Sequence, residues 1–116
     1  MVFALDKDNG ELLALASPLD APAHCKPIDV KDGYWLFFAE DGSPLEAWFE
    51  DPTVADESPE ALGEFALERA MSGRWLQERL DQVTAVRGCG LATVDDVTES
   101  LKVNRSKRVM ADRRRA

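Results

Sequence analysis

The chain has 116 residues, 45% of them apolar and 31% charged, with a formal net charge of −8. That length allows one domain with its own core, leaves no room for two, and needs neither disulfides nor a structural metal to hold it together. The composition excludes a disordered or collagen-like chain, and an anionic surface repels bare nucleic acid over most of its area.

The charge is unevenly spread. Residues 1–101 hold seven Lys/Arg against 21 Asp/Glu, a net of −14, whereas residues 102–116 hold seven against Asp112 alone, a net of +6. Cys25 and Cys89 are too few for a disulfide framework. Residues 1–17 lack the basic start and unbroken apolar run of a signal peptide. No apolar stretch approaches the roughly 20 residues a membrane span needs, so a reducing, cytoplasmic setting and no membrane partner are expected.

The first half reads as strands. Val2–Lys7 and Glu11–Ala16 flank Asn9-Gly10, a pair favoured in a type I′ hairpin turn because both central residues need positive φ. The Leu-Ala content of residues 12–16 also suits a helix. Residues 17–33, with Pro18, Pro22 and Pro27, read as a linker that continues no ladder.

A second hairpin follows, with residues 34–39 and 45–49 flanking Asp41-Gly42. If those two residues form the turn, Trp35 lies opposite Trp48 and Phe38 opposite Leu45. One face then carries Tyr34, Leu36, Phe38, Leu45, Ala47 and Phe49, and the other carries Trp35, Phe37 and Trp48 with Glu46. A sheet apolar on both faces is either covered twice or presents an aromatic surface to a partner.

The second half reads as helices. Ser58 caps a helix with Pro59 at its first position, and Leu62, Phe65, Ala66, Arg69 and Ala70 follow helical spacing. Leu76, Leu80 and Val83 continue the apolar stripe, with Gly73 as either a C-cap or an interior residue. Thr93 caps a last helix, with Asp96 three places on. The expected fold is α+β: an antiparallel sheet of about four strands packed by two or three helices. Residues 1–103 form the domain, and 104–116 a basic helical extension or tail.

The segment 93–114 resembles the helix-turn-helix pattern of bacterial DNA-binding proteins. Val97 and Leu101 stand at core positions of a first helix, Val103-Asn104 at the turn, and a basic second helix starts at Arg105. The resemblance implies phosphate or base contacts from Arg105, Lys107, Arg108, Arg113, Arg114 and Arg115. It departs from the pattern at Lys102, where a glycine is usual, and at Arg108, where an apolar residue is usual.

Acidic residues gather around the expected long helix: Asp51, Asp56, Glu57, Glu60, Glu64 and Glu68. They read as a solvated helix face or as a dock for a basic partner. No catalytic residue, cofactor or metal is assigned. His24 is the only histidine and has no metal-ligand spacing to either cysteine. Asp6–Gly10 fails as a calcium loop, because its glycine is one place early and Ser17 stands where a bidentate Glu is needed. A His24–Cys89 or His24–Cys25 nucleophile pair lacks any orienting group in the sequence, although a cleft bringing them together would favour one.

The functional expectation is therefore a non-catalytic interaction protein of the adaptor, inhibitor or chaperone-like kind. It binds another protein that is basic or presents an apolar patch, through Trp35, Phe37, Trp48, Glu60, Glu64 and Glu68. Homodimerisation is one form this could take. The alternative is a DNA-associated regulator acting through residues 93–114.

Overall fold

The computed structural model describes residues 1–49 and 65–115, and the side chains of all of these except 27, 28 and 106–115. The described strands are β1 (Val2–Asp6), β2 (Glu11–Leu15), β3 (Trp35–Ala39), β4 (Pro44–Phe49), β5 (Phe65–Arg69) and β6 (Ala85–Arg87). They form one sheet in the order β5-β4-β3-β1-β2-β6. Every pairing is antiparallel except β2 with β6, which is parallel. The α+β class expected from the sequence holds, but the sheet is wider and mixed.

β1 lies at the centre because its residues are apolar on both faces. Phe3, Ala4 and Leu5 are essentially inaccessible to solvent. One face joins Val2 and Ala4 to Leu13, Leu15, Phe37 and Phe65, under Ala21, Cys25 and Val30. The covering elements there are α1 (Ala21–His24) and α2 (Pro27–Lys31), so the proline-rich linker is a lid of short helical turns. The other face joins Phe3, Leu5, Leu12 and Phe38 to Leu76, Val97 and Leu101. Phe3 and Phe38 sit directly opposite each other across the ladder, and burying each contributes about 2–3 kcal/mol.

Both hairpins differ from the expected two-residue turns, for the same reason. Only the glycine of each pair has positive φ, +76° at Gly10 and +90° at Gly42, whereas a type I′ turn needs two such residues. The first loop is therefore Lys7–Gly10, closed by the Gly10 N–H donating to the Asp6 carbonyl at 2.9 Å. The second is Glu40–Gly42, with the Gly42 N–H donating to the Ala39 carbonyl at 2.9 Å and the Ala39 N–H to the Ser43 carbonyl at 2.8 Å. The buried Asp41 carboxylate fastens this turn by accepting from Ser43 N–H at 3.0 Å and Ser43 Oγ at 2.6 Å.

That extra loop residue shifts the register by one. Phe37, not Phe38, faces Leu45, and Phe38 faces Pro44. A one-residue shift turns every β4 side chain to the opposite face. Trp48 thereby leaves the face of Trp35 and Phe37 and joins that of Leu36 and Phe38.

The helical segment expected over residues 59–83, whether one helix or two separated at Gly73, is not present over its described part. Phe65–Arg69 is strand β5, followed by short 3-10 turns at Leu76–Glu78 and Leu80–Gln82. Residues 65–69 read equally well at period two, with Phe65 and Leu67 facing inward and Ala66 and Glu68 outward. The open edge of β4 and the apolar wall beneath it decide the matter. The Phe65 ring packs between those of Phe37 and Phe49, each 5.6 Å away by centroid. The expected cap at Ser58-Pro59 lies outside the described residues.

The last helix, α3 (Val94–Arg115), begins as the sequence indicates. Thr93 Oγ1 accepts from the Asp96 N–H at 3.1 Å, and the Asp96 carboxylate accepts from the Thr93 N–H at 3.1 Å, a reciprocal capping box. Val97 and Leu101 anchor it to the sheet. The helix runs on through Val103-Asn104, so the turn implied by the helix-turn-helix resemblance is not formed. Both flanking segments have helix-compatible residues and no glycine to break them. Among the described residues no helix is long and apolar enough to cross a membrane.

Candidate functional site

β4 and β5 bring two of the expected site residues, Trp48 and Glu68, together with Glu46. Glu46 lies directly opposite Glu68, and Trp48 directly opposite Ala66. Directly opposed residues share a face, so Glu46, Trp48 and Glu68 form one patch. Trp48 is 55% exposed although it lies within a strand. Its small cross-strand neighbour leaves one flank of the indole uncovered. Two like charges placed opposite each other repel, and among the described residues no ion pair offsets either of them.

The other expected aromatics play a different part. Phe37 is buried in the core, and Trp35 is half-buried against it on the opposite sheet face from Trp48. Together with Val30, Leu45 and Phe49 they line a shallow hollow of about 230 Å³. The single aromatic face expected for Trp35, Phe37 and Trp48 is thus split in two by the register. Glu60 and Glu64 lie outside the described residues.

The basic residues follow α3 outward. Asn104 Nδ2 donates to the Glu40 carbonyl at 3.3 Å, tying the helix to the β3–β4 turn. The Arg105 guanidinium sits 5.7 Å from the centre of the Trp75 ring, within cation–π range. Lys107, Arg108, Arg113, Arg114 and Arg115 lie farther along the same helix.

A larger cleft, of about 560 Å³, opens on the α1 side of the sheet. Its floor is Leu13 and Leu15 of β2, and Trp35 forms a wall. Asp6, Asp20 and His24 stand around it, together with Glu11, Arg87 and Cys89. Arg87 is ion-paired with Glu11. The parallel pairing of β6 to β2 builds this edge, and it is followed by a turn with three consecutive positive φ angles: +97° at Gly88, +52° at Cys89 and +76° at Gly90. A Cβ on Gly88 would run into the Ala14 carbonyl, so only glycine lets the turn lie this close to β2.

The cleft brings His24 and Cys89 to one place, the arrangement that favours a nucleophile pair. The Cys89 thiol, however, donates to the Ala14 carbonyl at 3.4 Å rather than to His24. Cys25 is buried away from the cleft; desolvation, with Asp6 and Asp29 nearby, pushes its thiol up to about 12. Cys25 is therefore not set up as a thiolate. Among the described residues no group of three or more His, Cys, Asp or Glu side chains is placed to hold a metal.

Asp6, Asp20, Glu11 and Arg87 were not singled out by sequence reasoning. Asp6 reads as a turn residue and Asp20 as part of a linker, and their meeting depends on a parallel strand of three residues. In the sequence, Gly88-Cys89-Gly90 marks a turn next to that edge but not the strand pairing that builds it. Comparison with protein-family models, curated proteins and solved structures returned no match.

Proposed function

We propose that this protein is a non-catalytic interaction module that docks a basic segment of another protein on the β4–β5 face. The observation that carries this reading is the exposed Trp48 beside the directly opposed Glu46 and Glu68. A lysine or arginine laid between the two carboxylates relieves their repulsion, and its cation or its aliphatic stem rests on the indole. The excess of acidic over basic residues in 1–101 steers such a partner inward before contact.

The test is titration of a lysine- and leucine-rich peptide into the full chain. Trp48→Ala, and separately the pair Glu46→Gln/Glu68→Gln, should each weaken binding roughly tenfold. Asp8→Asn/Asp32→Asn, which removes the same charge from exposed loops, should change it little. Equal weakening by both acidic pairs would reduce the interaction to unspecific attraction and end the proposal. Trp48 is mostly exposed, so its replacement leaves the core intact.

A second reading gives duplex nucleic acid to the basic end of α3. The helix continues unbroken through Arg115 and carries its cations beyond Leu101, which is buried against the sheet.

A further inference from the structure

We propose that the cleft between β2 and the Pro18–His24 segment is a binding site for a small organic amine, a ligand with an apolar body and one cationic end. This goes beyond the docking of a basic protein segment and is independent of it, since the cleft lies on the opposite face of the sheet from Trp48. Its volume of about 560 Å³ suits a small molecule, within the roughly 300–1,000 Å³ typical of such sites.

The lining chooses the ligand class. Leu13 and Leu15 line the floor with the small part of each, 9% and 5%, that the core leaves open, and Ala14 and Ala16 beside them add to it. Trp35 adds an aromatic wall, whose electron-rich face attracts cations. Arg87 is the one Lys or Arg among the described lining residues, and Glu11 already engages it. Asp6 and Asp20 are left to set the sign. Asp6 commits one oxygen, Oδ1, to the Asp8 N–H at 2.9 Å. Asp20 occupies the N-cap position of α1 yet makes no capping hydrogen bond, so its carboxylate is not spent on the helix it opens.

An anionic ligand meets those two carboxylates with no uncommitted arginine or lysine to offset them. A neutral apolar ligand fills the floor but leaves the acidic rim unanswered. An amine satisfies both: its ammonium takes Asp6 or Asp20 and the Trp35 face, while its body covers Leu13 and Leu15.

The experiment titrates phenethylamine into the isotopically labelled full chain and follows backbone amide shifts. The isosteric alcohol 2-phenylethanol and the anion phenylacetate serve as controls. Saturable shifts should fall on β2, on residues 18–24 and around Trp35, with the alcohol weaker and the anion not binding. Asp20→Asn, a change at an exposed position, should weaken the amine about five- to tenfold and leave the alcohol unchanged. Equal affinity for amine and alcohol, shifts gathered on β4 and β5 instead, or no saturable shift at all would overturn the proposal.

Discussion

At the scale of single residues, hydrogen bonds to short polar side chains decide how elements begin and turn. Asp96 is the clearest case. The backbone N–H groups of Ala92 and Thr93, joined by the Thr93 side chain, hold its carboxyl below the usual carboxylate range. A carboxyl depressed in the folded state adds stability at pH values above its ordinary value of about 3.9, and that stability is lost as pH falls through the folded value. Asp96→Asn should therefore lower the thermal midpoint at pH 7, and the gap should close as pH falls through the carboxylate range. A gap that stays constant in acid would mean that the charge contributes nothing. The Thr93-x-x-Asp96 spacing made this cap legible in the sequence. The turn pairs were only half legible, because Asn9-Gly10 and Asp41-Gly42 mark where a turn falls without giving its length. The length depends on whether the residue before glycine takes positive φ, and here neither does.

At the scale of elements, legibility follows how local the decisive contacts are. β1 to β4 and the start of α3 can be read from alternation, turns and caps within a few residues. β5 could not, because Phe65–Arg69 satisfies the helical and strand periods alike, and the edge of β4 makes the choice. β6 could not either: three residues pair in parallel with a strand near the other end of the chain. The register of β4 was misread by one residue, and so was the site, since Trp35 and Trp48 part company. α3 poses its own question beyond Leu101, where Val103 is already 51% exposed. If that stretch binds duplex DNA, log K should fall against log[salt] with a slope steeper than roughly −3. Replacing Arg113, Arg114 and Arg115 together by Gln should make the slope shallower by about 2.7, since each phosphate contact contributes about 0.9. An unchanged slope, or no binding at low salt, rules out the nucleic-acid reading.

At the scale of the whole molecule, one sheet separates two surfaces of different character. The α1 side holds a cleft with an apolar floor and acidic rim. The α3 side is packed over the central strands and leaves Glu46, Trp48 and Glu68 exposed toward the β5 edge. The acidic excess of residues 1–101 was legible from composition alone, whereas the pairing of two carboxylates beside an exposed indole required the sheet. The central claim is that this patch receives a basic partner segment. Its most direct test follows the three indole N–H signals, from Trp35, Trp48 and Trp75, during titration with the lysine- and leucine-rich peptide. A saturable shift of the Trp48 signal is expected, with those of Trp35 and Trp75 nearly still. Peptide binding that moves Trp35 or Trp75 and leaves Trp48 in place would contradict it.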